Sequence, residues 1–498
     1  MKIGLISTNC EIYSLGVNKL SSFLKSHNHE TKVVYLLQSK PVILSYLSAD
    51  YDKLDVKIMK EIGKELQDVQ IIGISLMTRS LNTAIDITRY LKKLFPDKLI
   101  IWGGVHPTIS PEESIRYADI ICRLEGYYPL LELASRLESG RDYVDIKNLW
   151  FKNRNGIIRN ETRPLVQNLD ELPPQDFGYD NHYVTKGNEL VKLNYSLLSK
   201  INGMTYNTIA GLGCPMNCTY CCNNAFTEID SDNKKIRYNS VQYTISELVD
   251  VKNRFPFIKY IAFLDDFFLL RPPSFLREFI AQYKEKINLP FSCSTTMDLI
   301  TDDIMEAFVN AKLRCLKIGV QSGSDRTNQY VFKRMQKSER IRGKIELFKK
   351  YKKDVVYRFD IILDNPWENF NDMKETLKLF ASLKFPYFIV VYSLKLYPGT
   401  ELYDRAQKEN ISIDLNGSYK QFDSILINYA ILLNHFFKVP NFVIKRINEK
   451  NYKARIPKFI KTLFWLFYIL KGGMLGISRG SMDNIPDTIA RITYKIKN

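Results

Sequence analysis

Two α/β units in tandem, followed by a helical tail, are the architecture this 498-residue chain predicts. Three observations carry that expectation. Short apolar runs alternate with helix-period segments through residues 1–145, the pattern of parallel strands covered on both faces. The alternation resumes from Thr205 to about Gln407. At the head of that second stretch one loop, Gly213-Cys-Pro-Met-Asn-Cys-Thr-Tyr-Cys221, carries three cysteines in C-x3-C-x2-C spacing. The length allows two or three domains, each with its own core. Hydrophobic residues at 45% and charged residues at 25% fit a globular protein, and no long low-complexity tract or internal repeat interrupts the pattern.

In the first unit, residues 2–7 read as a short buried strand and Leu15–Lys25 as a helix. Further apolar runs end at Leu36, Ser75, Trp102 and Arg123, with helical segments near 54–66, 79–95 and 127–137. Five such strands predict a flavodoxin-like, doubly wound domain over residues 1–145. Ligands in that architecture bind at the carboxyl ends of the strands. Ser75–Thr78, Gly103-Gly104-Val-His106-Pro107-Thr108 and Glu125-Gly126 follow the third, fourth and fifth strands. The glycine pair lets the backbone approach a bulky ligand closely. A histidine in such a turn reads as a hydrogen bonder that steadies the loop. The competing reading of this unit is the same scaffold with an empty pocket.

Residues 146–200 read as a connector. Asn155-Gly156 between two short apolar runs signals a hairpin, and Leu169-Asp-Glu-Leu-Pro-Pro174 breaks any regular element. Residues 201–410 then place strands near 205–210, 258–264, 290–295, 314–320, 356–362 and 388–394. Six βα repeats fit a partial (β/α)6 barrel, whose site gathers at the carboxyl strand ends. The cysteine loop follows the first strand. Asp265-Asp266 ends the second, Gln321-Ser322-Gly323-Ser324 the fourth and Asp364-Asn-Pro-Trp-Glu368 the fifth, and Leu396-Tyr-Pro-Gly-Thr-Glu-Leu402 follows the sixth.

A structural zinc site and an ordinary ferredoxin cluster both want four protein ligands. Three cysteines on one loop suit instead a [4Fe–4S] cluster with one iron left open. A zinc knuckle or plain buried thiols are the alternatives. Cys222 is adjacent to Cys221, cannot easily turn back onto the same metal, and reads as a packing residue. Cys10, Cys122, Cys293 and Cys315 are scattered among apolar residues and read as small hydrophobes. No secretory signal is seen, so the expected compartment is a reducing cytoplasm.

The cysteine run resembles the signature of the radical S-adenosylmethionine (SAM) enzymes, with Tyr220 as the aromatic that family places before its third cysteine. The resemblance implies that Cys214, Cys218 and Cys221 hold a [4Fe–4S] cluster, that SAM chelates the open iron, and that an electron from the cluster releases a 5′-deoxyadenosyl radical. The other strand-end segments resemble the SAM-contacting motifs of that core, in the family's order. On this reading Asp265 or Asp266 accepts from the SAM ammonium, Gln321 and Ser322 bond the ribose or carboxylate, and Glu368 lies in the segment that ends the fifth strand. Paired acids at a strand end also cap helices. Arg358 reads equally as a carboxylate binder or a plain ion pair.

The first unit resembles the cobalamin-binding domain found upstream of many such cores. Ile74-Ser75, Trp102-Gly103-Gly104-Val-His-Pro-Thr108, Pro111-Glu112-Glu113 and Leu124-Glu125-Gly126 carry the likeness, so Ser75, Gly103, Gly104, Glu125 and Gly126 become candidate cobalamin contacts. The D-x-H-x-x-G motif that brings histidine to cobalt is absent, and His106 is not assigned to the metal. Over residues 1–410 the resemblance implies an anaerobic, cobalamin-dependent radical SAM enzyme that transfers methyl groups to an unactivated carbon or phosphinate centre. It also implies a reductant such as flavodoxin or ferredoxin. Ring closure, contraction or oxidation without methyl transfer is the rival within the family, and a non-catalytic iron–sulfur protein the rival outside it.

The net charge is +17, of which +10 lies in residues 431–498, where 13 Lys/Arg face 3 Asp/Glu. Charge so placed argues against a nucleic-acid partner and leaves a small-molecule or lipid-like substrate. The tail, 411–498, is rich in aromatics, and Phe459–Leu470 is too short to span a bilayer. It reads either as an interfacial helix, making peripheral contact with the inner face of an anionic membrane, or as a helix that closes the open side of the barrel.

Overall fold

The strands of the first unit pair in parallel because each is apolar on both faces and is joined to the next through a helix. They are β1 (Lys2–Cys10), β2 (Glu30–Leu37), β3 (Ile71–Ser75), β4 (Leu99–Gly103) and β5 (Ile120–Cys122), in the spatial order 5-4-3-1-2 expected of a flavodoxin-like sheet. The connecting helices are α1 (Leu15–Ser26), α2 (Val56–Glu65), α3 (Leu81–Leu94), α4 (Val105–Ile109) and α5 (Tyr127–Glu138). This computed structural model describes residues 1–10, 12, 14–37, 54–414, 422–436, 438–457, 459–461 and 464. The core of the unit holds Ile6, Val34, Ile72, Leu91 and Trp102. The buried Trp102 indole donates to Thr88 Oγ1 at 2.8 Å, so this large ring brings no unsatisfied donor into the core.

Residues 146–200, expected as a connector, extend this sheet. The hairpin forms as β6 (Leu149–Asn153) and β7 (Gly156–Arg159), with β6 antiparallel to β5. At the other edge β8 (His182–Lys186) pairs with β2, and β9 (Glu189–Lys192) pairs with β8. The result is nine strands in the order 7-6-5-4-3-1-2-8-9. The edges β5 and β2 would otherwise present unpaired backbone groups, which the added strands satisfy. Tyr220–Arg237, containing helix α6 (Cys222–Ile229), and Leu396–Gly417 also belong to this unit.

The second unit comprises Gly203–Thr219, Tyr238–Lys395 and the chain from Ser418 on. Its strands are β10 (Thr205–Thr208), β11 (Tyr260–Phe263), β12 (Phe291–Thr295), β13 (Leu313–Gln321), β14 (Val356–Leu363) and β15 (Tyr387–Ser393). All six expected strands are present, parallel and in sequential order. Helices α7 (Val241–Arg254), α8 (Pro273–Gln282), α9 (Asp302–Asn310) and α10 (Phe370–Ser382) cover the outer face. Phe263 meets Phe279 of α8 at 5.7 Å between ring centroids, and Phe359 meets Phe380 of α10 at 6.0 Å. Tyr206 and Thr208 both donate to Glu247 of α7 at 2.8 Å.

The tail begins as a structural element. Helix α11 (Leu426–Leu433) buries Ile427, Tyr429, Ala430, Ile431 and Leu432. Asn428 donates to Asp364 at 3.0 Å, and the Ile389 N–H of the edge strand β15 donates to His435 Nδ1 at 3.4 Å. Among the described residues of the tail, α11 thus packs beside the edge strand β15. Of the aromatic stretch 459–470 only Phe459, Ile460, Lys461 and Phe464 are among the described residues; Phe464 packs on Tyr429 at 5.0 Å. Among the described residues no helix is long and apolar enough to cross a membrane.

Gly323 has a packing role the sequence did not disclose. A Cβ there would lie 2.5 Å from Thr376 Cα of α10, and its N–H donates to Thr376 Oγ1 at 2.8 Å. The close approach is to a helix backbone, which cannot give way as a side chain can. Gly323→Ala is expected to destabilise the second unit by about 1–3 kcal/mol, as overpacking does. Urea denaturation of the two proteins checks this, and an unchanged midpoint would show that α10 can retreat.

Candidate functional site

The cysteine loop leaves β10 through Gly213, whose φ of +103° only glycine adopts without strain. Cys214 and Cys218 are each 6% exposed. Thr219 pins the loop to the segment after β13, its N–H donating to Phe332 O at 3.3 Å and its hydroxyl to Val331 O at 2.6 Å. From the same segment the buried Arg334 donates to Cys218 Sγ at 3.5 Å and to Gly319 O at 3.1 Å. A guanidinium against a sulfur favours the thiolate, the form that ligates metal. Within the other unit, Cys221 is half-buried at the cap of α6, Cys222 opens that helix and Tyr220 is half-buried. Among the described residues no three His, Cys, Asp or Glu side chains converge at metal-ligand spacing. The donor set nevertheless fits a cluster: soft thiols on one short loop, two of them screened from water and one beside a cation.

The strand-end residues divide into braces and candidates for ligand contact. Asp265 is 3% exposed and both its oxygens are taken, one by the Arg271 guanidinium and the other by the Ala210 N–H at 3.0 Å. It ties the exit of β10 to the turn after β11. Asp266 is exposed. Gln321 sits at φ +64°, where β13 bulges against β14, and its amide folds over Gly319. The buried Ser322 hydroxyl donates to Glu368 at 2.7 Å. Burial pushes Glu368 up to about 7, the Ser322 bond opposing. Burial likewise raises Asp364 to about 6, against the bond from Ser393. Perturbed carboxyls cluster at functional sites, and these two lie at one strand end. Arg358 pairs with Asp360 at 2.8 Å and donates to Tyr392 at 2.7 Å. Gly399, expected at the mouth of the sixth strand, lies in the first unit at φ +75°, where a Cβ would meet Ile109 O at 2.8 Å.

In the first unit the switch between β1 and β3 opens the crevice of this architecture. Thr8 donates to Ser75 O at 3.0 Å and Ser80 to Thr8 O at 3.1 Å, locking the two loops together. Gly103 is half-buried. Gly104 is exposed at φ +97°, with a built Cβ 2.9 Å from Leu76 O. Gly104 thus makes room for the Leu76 carbonyl, and its exposed backbone is left as the candidate cofactor contact. His106 is fully buried, 3.2 Å from Thr78 Oγ1 and 3.6 Å from Glu113. Burial holds its pKa below the usual value against Glu113, so it steadies the loop. Glu125 is also a brace, accepting from Arg237 at 2.7 Å and from the Val166 N–H at 2.8 Å. Gly126 caps α5 with a built Cβ 3.6 Å from Cys122 Sγ. Burial pushes the Cys122 thiol up to about 12. Cys293 and Cys315 are fully buried. The side chain of Cys10 lies outside the described residues.

Sequence reasoning missed Arg334 and Arg271. Arg271 is a lone basic residue next to aromatics and Arg334 follows Lys333 in Val331-Phe-Lys-Arg334; neither has a spacing to mark it.

Residues 1–134 match the B12 binding domain and residues 208–380 the Radical SAM superfamily. The chain is 25% identical over 439 residues to an uncharacterized methyltransferase of Pyrococcus horikoshii, covering 84% of this chain and 88% of that one. It is 26% identical over 191 residues to an anaerobic magnesium-protoporphyrin IX monomethyl ester cyclase of Synechocystis, covering 37% of this chain and 35% of that one. Among solved structures the radical SAM methyltransferase TsrM of Kitasatospora setae matches with TM-score 0.66 at 13% identity, covering 100% of this chain and 99% of that one. The cobalamin-dependent radical SAM enzyme OxsB matches with TM-score 0.64 at 16% identity, covering 100% and 78%. These likenesses extend to the fold. With both family models matched, the chain belongs to the cobalamin-dependent radical SAM enzymes.

The raised Glu368 makes a prediction of definite sign. The folded state holds its proton from the ordinary range near 4.5 up to about 7, so stability falls as pH rises through that window. Glu368→Gln removes the titration. Its thermal midpoint relative to wild type should rise between pH 5 and 8, by a free energy on the order of 2 kcal/mol. A pH-independent difference would mean Glu368 is ionised throughout.

Proposed function

We propose that this cobalamin-dependent radical SAM enzyme transfers a methyl group to an unactivated carbon or phosphinate centre of a small molecule. The observation that carries the reading is the order of its parts: a doubly wound cobalamin-binding unit, then a six-stranded parallel barrel whose first strand feeds a three-cysteine loop. The similarity to a methyltransferase over 84% of the chain supports it. When bound, the cluster supplies the electron that cleaves SAM and cobalamin serves as the methyl carrier.

The chain's own residues have these proposed roles. Cys214, Cys218 and Cys221 ligate the cluster, and Arg334 offsets thiolate charge at Cys218. Cys222 is not a ligand. The exposed Asp266 is the better of the two acids for the SAM ammonium, since Asp265 is committed to Arg271. Gln321, Ser322 and Glu368 lie at neighbouring strand ends, where Glu368 near neutrality can either donate or accept a hydrogen bond. Ser75, Gly103 and Gly104 line the cobalamin crevice. A flavodoxin or ferredoxin is the expected reductant, and the enzyme works in an anaerobic cytoplasm.

Anaerobically reconstituted protein tests this. Wild type and Cys222→Ala should carry one cluster, and alanine at Cys214, Cys218 and Cys221 together should abolish it. Incubation with SAM, a low-potential reductant and cobalamin should yield S-adenosylhomocysteine only when cobalamin is present, and 5′-deoxyadenosine as well. Production of 5′-deoxyadenosine with no cobalamin-dependent S-adenosylhomocysteine would point instead to ring closure or oxidation. Neither product, from protein that carries its cluster, would leave a non-catalytic iron–sulfur protein.

A further inference from the structure

The segment that follows β13 holds a strap with two sides. Residues 333–337 belong to no helix or sheet, and a short helix (Ser338–Gly343) begins directly after them. Their burial alternates as it does along an extended chain. Arg334 and Gln336 are buried; Lys333, Met335 and Lys337 are exposed. On the inner side Arg334 donates to Cys218 Sγ at 3.5 Å. The strap is tied down at both ends. Thr219, next to Cys218, donates to Val331 O at 2.6 Å, and the Ser338 N–H donates to Asp325 at 2.7 Å. One arginine side chain and one strand of backbone thus separate the Cys218 sulfur from the outer side of the strap.

That outer side has the composition of a docking surface. Met335 and Tyr330 are 71% and 69% exposed, the most exposed large apolar side chains among the described residues. Methionine and tyrosine are enriched where proteins meet. Residues 333–343 hold five Lys/Arg and one carboxylate, Glu339. Arg334 is turned inward, and Arg340 is spent on Asp298, whose two oxygens each lie 2.6 Å away. Lys337 and Arg342 are exposed and make no ion pair among the described residues. Exposed apolar side chains beside such cations complement a partner whose contact face is apolar with an acidic rim.

We propose that the outer side of Lys333–Lys337 docks a small acidic one-electron carrier, which delivers its electron to the cluster across this strap. The inference rests on the proposed cluster at Cys214, Cys218 and Cys221, and it names the face at which the reductant of that cluster binds. The carrier loses one electron and the cluster gains it; no bond forms or breaks. Electron transfer falls steeply with distance, and the strap is thin where Arg334 reaches Cys218. Lys337 and Arg342 steer the acidic carrier in, and Met335 and Tyr330 supply the dry contact.

The experiment is stopped-flow absorbance of cluster reduction in the full-length, anaerobically reconstituted enzyme. The reductant is a reduced flavodoxin of strongly acidic surface and, separately, dithionite. Reduction needs no turnover of SAM, so this result is independent of the methyl-transfer assay. Met335→Asp and Lys337→Glu should each slow reduction by the flavodoxin roughly ten-fold or more. Iron content and the rate with dithionite should stay at wild-type values. Raising the salt should slow the wild type with flavodoxin, since the attraction is between exposed charges. Two separate surface variants cover the case in which one fails to fold. Equal flavodoxin rates in wild type and both variants overturn this proposal alone. A parallel loss with dithionite places the effect on the cluster and also overturns it. Wild type that takes up no cluster overturns the reading of the cysteine loop, and this proposal with it. Sedimentation in which wild type pairs and Met335→Asp does not would assign the face to a second copy of the chain, against the proposal.

Discussion

Parallel pairing is the constraint on which the rest of this molecule depends. A parallel sheet brings every strand out at the same end, so the loops that carry chemistry collect there. It also requires a covering layer and a crossover for each strand. In the first unit that produces the crevice between β1 and β3; in the second it aligns the cysteine loop, Gln321, Ser322, Asp364 and Glu368 along one edge of one sheet. The three segments of the second set, the cysteine loop, Gln321-Ser322 and Asp364–Glu368, are far apart in sequence. The register of the backbone hydrogen bonds does the gathering.

Loops so gathered must still be held in place, and buried polar bonds hold them. Asp265 spends both oxygens on Arg271 and Ala210, Glu125 on Arg237 and Val166, and Ser324 and Arg326 both bond Asp372 at the head of α10. Such pairs gain little net stability over an apolar filling, but losing one partner is expensive, so they specify a single loop position. Residues at a site edge therefore divide by whether their capacity is already spent. Asp265 and Glu125 have spent theirs within the fold, whereas burial raises Glu368 to about 7 although Ser322 donates to it.

Where each element runs was legible because hydrophobic period is a local signal. The five and six parallel strands fall where apolar runs predicted them, and the cysteine spacing drew attention to the right loop. What stayed hidden was tertiary in origin. The sequence near Leu149–Arg159 announces a hairpin but not the sheet edge it extends. Gly323 and Gly399 lie in strand-end segments, and each makes room for protein backbone, at Thr376 and Ile109 respectively. Arg334 carries no pattern at all, because its meaning comes from a sulfur more than a hundred residues away. The tail's charge drew attention to lipid, while among its described residues the apolar α11 packs beside β15.

Neither unit is contiguous in the chain, and this governs the order in which they can be finished during synthesis. The first unit takes Leu396–Gly417 and the second takes residues beyond Ser418. A nascent chain that has emerged as far as β15 thus displays an unsealed parallel edge, lacking His435 and α11, and a first unit without its last segment. Open edges of that kind are templates for intermolecular pairing. The exposure lasts until the ribosome has delivered about 40 further residues, on the order of seconds at cellular elongation rates. A cluster-delivery machinery acting on the cysteine loop before that point would meet a chain whose second unit is still open at its far edge.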